Sequence, residues 1–184
     1  MNWHEVRLGE VFPTPWRNGG GTTRELLAWP HRENWNARLS IADVVRSGPF
    51  SAFPGVMRWF AVLSGDGVRL RAGDREENLL AESAPCQFDG AAGTACDLLG
   101  GPTQDFNLML QGRDGYLERV EGRQERACRK GALVGVYSHD HEVVFRAVEV
   151  RIVIPVQTFA WTIVPTDERF DFTTKGALWV EVQP

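Results

Sequence analysis

The chain is poor in the residues that most often announce chemistry. It has three cysteines, Cys86, Cys96 and Cys128, widely spaced and none in a C-x-x-C pair. An odd, scattered set argues against a disulfide framework and fits a reducing compartment. Cys86, next to Pro85 and just ahead of Phe88-Asp89-Gly90, reads either as the border of a cleft or as a half-buried thiol. There are four histidines: His4, His31, His139 and His141. His139-Asp140-His141-Glu142 has the two-apart spacing that puts both imidazoles on one strand face. That stretch is polar throughout, follows Tyr137-Ser138 and reads as a hairpin tip, with no later histidine to complete a ligand set. No metal and no cofactor are therefore expected. No basic cluster stands out and the formal net charge is −4, so nucleic acid has little to hold. No apolar run approaches membrane-spanning length, and Met1-Asn2-Trp3-His4-Glu5 lacks the basic start and apolar stretch of a signal peptide. The expectation is a cytoplasmic protein with no membrane partner. The phosphate-loop and dinucleotide patterns are missing, as is a G-x-S-x-G elbow, and no Ser or Cys is set by sequence beside a histidine.

What the chain does have is β-strand patterning. Hydrophobic residues make up 43% and charged residues 24% of 184 residues, enough for one well-cored domain or two small halves sharing a core. Trp35, Ala37, Leu39 and Ile41 alternate with Asn36, Arg38 and Ser40, as a strand does. Met57, Trp59, Ala61 and Leu63 alternate with Val56, Arg58, Phe60 and Val62, apolar on both faces, which suits a strand buried on both sides. Gly65-Asp66-Gly67 then reads as a hairpin turn into Val68-Arg69-Leu70-Arg71. Further strand-like runs are 96–99, 105–110, 131–137, 143–145, 160–164 and 177–182. Only Glu76–Glu82 has a helical look, and a loop fits it equally. Short strands with regular punctuation indicate an all-β sandwich or barrel. No Pro-rich or Gly/Ser-rich linker and no repeat interrupts it. One compact unit of two halves is expected, approximately 1–110 and 111–184.

The densest chemistry lies in Pro15-Trp16-Arg17-Asn18-Gly19-Gly20-Gly21-Thr22-Thr23-Arg24-Glu25. Three consecutive glycines mark backbone that needs positive φ or close approach of another group. Two readings fit: a tight turn or bulge between strands, or a binding loop whose N–H groups and side chains face a small polar ligand. Arg58 sits among apolar neighbours, where a lone charge must be paired or reach a cavity. Asp89, Asp105 and Asn107 are its candidate partners. Arg38 shares the polar face of its strand with Asn36 and Ser40, facing either solvent or a shared polar cleft. Arginine's planar fork suits a carboxylate, and Asn18, Ser40 and Asn107 suit amide or formyl oxygens. Of seven tryptophans, Trp16 is the one placed to wall a cleft, with its N–H available as a donor. Gly48-Pro49-Phe50-Ser51-Ala52-Phe53-Pro54-Gly55 reads as a lid or as a structural corner.

The glycine run, together with Trp35–Val44, Ser47–Arg58, Leu63–Gly67, Phe88-Asp89-Gly90 and Gly101–Met109 in that order, resembles the HutD/Ves family associated with histidine utilisation in bacteria. These blocks cover about the first two thirds of the chain, and the last third carries none as sharp. Pro15 and Thr22 sit where relatives carry other residues. The resemblance implies a bicupin-like fold of two packed β-barrel halves. It further implies a metal-independent protein that binds a small anionic ligand, such as a formylglutamate- or urocanate-like intermediate, in the regulation of histidine utilisation. The site residues it carries over are Trp16, Asn18, Gly19, Gly20, Arg38, Ser40, Arg58, Asp89, Asp105 and Asn107. Other readings stay open: a metal-independent hydrolase or isomerase acting through Asp89 or Asp105, a Ves-type stress-associated protein, and an interaction protein that forms a homodimer through a sheet edge or aromatic patch.

Overall fold

The computed structural model describes residues 2–146 and 151–184, with the backbone alone at Arg151. The strands are β1 (His4–Arg7), β2 (Thr14–Pro15), β3 (Gly21–Pro30), β4 (Trp35–Val44), β5 (Gly48–Pro49) and β6 (Val56–Ser64). They continue with β7 (Val68–Ala72), β8 (Arg75–Leu79), β9 (Cys86–Asp89), β10 (Thr94–Leu98), β11 (Thr103–Gln111) and β12 (Gly115–Cys128). The last are β13 (Leu133–Ser138), β14 (Val143–Arg146), β15 (Arg151–Ile154), β16 (Thr158–Ile163) and β17 (Glu168–Val182). A single 3-10 turn, Leu8–Glu10, is the only helical element among the described residues, so the all-β expectation holds. Among the described residues, no helix is long and apolar enough to cross a membrane. The strands fall into two units, Phe12–Gly112 and Met1–Val11 with Arg113–Pro184.

In the N-terminal unit a six-stranded sheet runs β2-β3-β4-β11-β6-β9 and a four-stranded sheet runs β5-β10-β7-β8. Alternation explains how they meet. Phe60, Val62 and Phe88 from the larger sheet pack with Val68, Leu70, Leu79 and Cys96 from the smaller one into one buried cluster. Each such side chain contributes roughly 1.5–3 kcal/mol by leaving water. Two sequence expectations need correction here. Gly65-Asp66-Gly67 is not a hairpin turn, because β6 and β7 belong to different sheets. The chain instead crosses over, with Gly65 and Gly67 at φ +97° and +89°, and Asp66 Oδ2 accepts the Gly101 N–H at 2.7 Å. The hairpin is the next one, β7 to β8, closed by Gly73-Asp74, and it turns most of the helical-looking stretch into an edge strand.

The C-terminal unit is a seven-stranded sheet, β1-β16-β13-β17-β14-β15, with β12 also paired to β17. The expected 131–137, 143–145 and 160–164 strands are present. The charged fourteen-residue β12 carries no apolar alternation that would have marked it. It bends hard. Arg126 Nη2 lies 2.9 Å from Glu118 Oε2, whereas eight residues of straight strand would span about 26 Å. Gly122, at φ +74°, sits where the β12–β17 register slips, and supplies a conformation that other residues adopt only under strain.

Candidate functional site

The glycine run is a turn first. Pro15 and Thr14 pair with Thr22 and Thr23, and between them Gly19 N–H donates to Trp16 O while Gly20 N–H donates to Asn18 Oδ1. A Cβ on Gly21 would lie 2.3 Å from the Asp43 carbonyl oxygen, so β3 and β4 come closer there than any side chain allows. Gly19, at φ +64°, has its carbonyl held by Arg46 Nη2 at 2.8 Å. The amides of Gly19 and Gly20 are thus satisfied inside the turn, and neither residue is among those lining the cavity beside it. The expected donor role of Trp16 is corrected likewise, since its Nε1–H goes to Thr23 Oγ1 at 2.7 Å. What the turn does is project Trp16, Arg17 and Asn18 over a cavity of about 770 Å³ in the N-terminal unit.

Strand register builds the rest of that cavity. Arg38 on β4 stands opposite Met109 on β11, which stands opposite Arg58 on β6. Ser40 stands opposite Asn107. Directly opposed residues share a face with Cβ atoms about 5 Å apart, so Arg38, Ser40, Arg58 and Asn107 converge on one wall. All four line the cavity, with Thr23, Glu25 and Ala42 beside them and Pro49, Phe50 and Phe53 across. The 48–55 segment is therefore both corner and wall: Phe50 N–H and Phe53 N–H are tied to Thr94 O and Gly90 O.

Arg58 is the unusual residue. It is 6% exposed, and its guanidinium carbon lies 5.0, 5.2 and 5.8 Å from the ring centres of Phe88, Phe50 and Phe53. Its Nη2 donates to Asn107 Oδ1 at 3.2 Å, while Nε has no partner among the described residues. None of the carboxylates proposed as its partner reaches it; of the three candidates, Asn107 is the one that does. Burial, and then the like charge of Arg38, pull its pKa down to about 10, so it stays a cation at neutral pH. Three ring faces and one amide offset its desolvation only in part.

Arg38 differs. Its Nε donates to Glu25 Oε2 at 2.7 Å, and Glu25 Oε1 also takes Arg32 Nε at 3.1 Å. Glu25 is the one carboxylate among the lining residues, against four arginines, Arg17, Arg32, Arg38 and Arg58. The cavity is accordingly cationic and rich in donors. Glu25, Arg32 and Met109 went unanticipated as wall residues. Glu25 precedes a register slip in β3, which local pattern does not reveal, and Met109 reads as core until its cross-strand partners are known.

The two aspartates sit elsewhere. Asp89 pairs across from exposed Met57, one step out of phase with Arg58 and Phe88. It points away from the cavity, and its Oδ1 accepts the Ala91 N–H in a local turn. Asp105 is fully buried with Oδ2 accepting from Thr103 Oγ1 at 3.0 Å, and it does not line the cavity. Burial, and secondarily the Asp43 charge, lift its pKa to about 7 against the opposing Thr103 bond. In the C-terminal unit His139 Nδ1 is engaged by Gln157 Nε2 at 3.0 Å, and its pKa is lowered chiefly by burial. No group of three or more His, Cys, Asp or Glu among the described residues is arranged to hold a metal ion.

Three comparisons with known proteins bear on this chain. The HutD family model matches residues 10–180. A Pseudomonas putida relative, "Uncharacterized 21.2 kDa protein in hutC 3'region", is 41% identical over 112 residues, 59% of each chain. Protein Ves of Cronobacter sakazakii (strain ATCC BAA-894) is 37% identical over 97 residues, 52% of this chain and 54% of that one. The chain thus spans less than two thirds of these curated relatives. Among solved structures, HutD from Pseudomonas fluorescens SBW25 (formate condition) superposes with a TM-score of 0.86 at 26% identity, covering 99% of this chain and 98% of that one. Oxalate decarboxylase, at 9% identity and a TM-score of 0.63 over 97% of this chain and 76% of that one, shares the fold alone. The architecture is the cupin-type, bicupin-like fold, and the chain belongs to the HutD family.

Proposed function

We propose that the N-terminal unit binds a small anionic metabolite in its arginine-lined cavity and serves the regulation of histidine utilisation rather than turnover. One observation carries the reading: Arg58 is a buried cation with no carboxylate within ion-pair distance among the described residues, set at a cavity wall beside Asn107 and Ser40. A ligand carboxylate would supply the missing counter-charge through two parallel N–H···O bonds. Asn107 Nδ2 and the Ser40 hydroxyl suit an amide or formyl oxygen, as in a formylglutamate-like compound, and equally the acceptor nitrogen of an imidazole, as in a urocanate-like one. The P. putida relative from the hutC 3' region supports the pathway. A binder is favoured over a hydrolase or isomerase because Asp89 faces away and Asp105 stands behind the cavity wall without lining it, so neither reaches a ligand to act as its acid or base. A cytoplasmic site of action accords with three free cysteines.

The test is a thermal-shift and calorimetric screen against formylglutamate, formiminoglutamate, urocanate, glutamate and histidine. At least one should raise the melting temperature of the native chain. Arg58→Leu should weaken that compound by about 2–5 kcal/mol while folding at least as stably, since it replaces an uncompensated buried charge with an apolar side chain. Equal affinity in Arg58→Leu, or no binding across the screen, overturns the reading.

A further inference from the structure

Asp105 is left unexplained by the binding site as described. It lies on the same face of β11 as Asn107 and Met109, both of which line the cavity, and stands directly opposite Ala42, which lines it too. Opposed residues have Cβ atoms about 5 Å apart, so the carboxyl lies one side chain behind the cavity wall. It is 0% exposed, and its Oδ1 has no partner among the described residues. A buried carboxylate oxygen left in that state is costly, and calls for a proton or a cation.

The neighbours decide which. Thr103 on its own strand gives one hydrogen bond. From β6 the residue opposite is Val62. From β4 the near charge is Asp43, negative and already tied to Arg24, Thr22 and Gln104. From β10 comes Cys96, whose own thiol is pushed up to about 12 by burial first and by Asp105 and Asp97 after it, so it stays neutral. No Lys, Arg or His forms an ion pair with Asp105 among the described residues, and no histidine lines the cavity.

We propose that Asp105 is a proton site coupled to the cavity, so that an anion enters the N-terminal unit together with one proton. The inference rests on the anion-binding reading above. An anion that reaches from Arg58 along the wall to Asn107 and Ser40 brings negative charge to the end of the cavity lined by Ala42 and Asn107, the residues next to Asp105 in the sheet. The carboxylate answers by taking a proton from water at Oδ1, which turns an orphaned acceptor into a neutral acid. The linkage is reciprocal: whatever the anion does to the proton, the proton does to the anion. Because the empty protein already holds this carboxyl near neutrality, the coupling is felt at physiological pH. The site then reads metabolite concentration and pH as one signal.

Formylglutamate is the probe of choice, because its carboxylates stay ionised above pH 6 and contribute no proton of their own. In the wild-type chain its Kd should weaken by roughly tenfold between pH 6.5 and 8.5. Calorimetry at pH 7.5 in two buffers of different ionisation enthalpy should show uptake of up to about one proton per anion bound. Asp105→Asn, a neutral near-isostere, should bind with the wild-type low-pH affinity at every pH and take up no proton. Should that variant fail to fold, the two-buffer measurement on the wild type decides alone. Tight binding with a flat pH profile and no uptake overturns the proton linkage while leaving the binding reading intact. Uptake that persists in Asp105→Asn also overturns it. No binding at either pH overturns the reading beneath it.

Discussion

In the C-terminal unit the interior is closed by rings. Phe172 and Trp179 stack with centroids 5.2 Å apart, and Phe145, Phe170 and Trp3 complete the group by tilted and edge-on contacts. In the N-terminal unit the rings do something else. Phe50, Phe53 and Phe88 surround a guanidinium, Ser40 and Asn107 share its wall of the cavity, and Asp105 is buried beyond them. Both units are antiparallel β structures, so backbone architecture does not account for the contrast. Which residues occupy the inward positions does. The ring cluster gains stability from packing, and the one buried carboxylate among the described residues of its unit, Glu181, is hydrogen-bonded by Tyr116; the N-terminal unit instead leaves a buried guanidinium without a carboxylate partner among the described residues, and keeps a cavity able to recognise charge.

Four experiments sharpen or break the contrast, in descending order of expected effect. Trp179→Ala should cost about 3–5 kcal/mol in urea unfolding, the range for a fully buried aromatic; a loss under about 1 kcal/mol would mean the ring cluster is not what holds that unit. Asp105 gives a pH signature specific to the other unit. Its folded pKa of about 7 lies above that of the unfolded chain. Its protonated form is therefore favoured in the native state, and its contribution is fully present below about pH 4 and lost as pH rises through about 7. Wild-type stability measured against Asp105→Asn should fall by roughly 2–4 kcal/mol across that window, and parallel curves would show that the carboxyl is not sealed. Arg38→Ala should weaken the anion ligand by several-fold, about 1 kcal/mol, less than loss of Arg58, because Glu25 already half-neutralises it. An effect as large as that of Arg58→Leu would make Arg38, and not the unpaired Arg58, the anchor. Arg123→Ala breaks an ion pair with Asp171 on the bent β12–β17 ladder, where solvent screens it; urea midpoints should not move.

Much of this was legible from residues. Alternation through Trp35–Val44 placed Arg38 and Ser40 on one face, and that face is the cavity wall. An arginine amid Val56, Phe60 and Val62 had to be special, and Arg58 is. Illegible features depend on what lies across the sheet. Whether Asp89 or Phe88 faces inward turns on a register one residue either way, which sequence does not encode locally. Gly65-Asp66-Gly67 looks the same whether the chain turns back or crosses to a second sheet. β12 was hidden because a strand that buries few side chains leaves little hydrophobic trace. Glu25 gives no sign of its role, since its two partners lie 7 and 13 residues away in sequence.

Trp16 closes one side of the cavity, with its indole nitrogen fixed by Thr23 and its ring edge-on to Phe50 at 6.1 Å. An indole so placed is a built-in fluorophore. Anything that fills the hollow displaces water from its face and alters its emission. The chain therefore carries its own optical gauge of occupancy, readable without a label once the six other tryptophans are subtracted through a Trp16→Phe control.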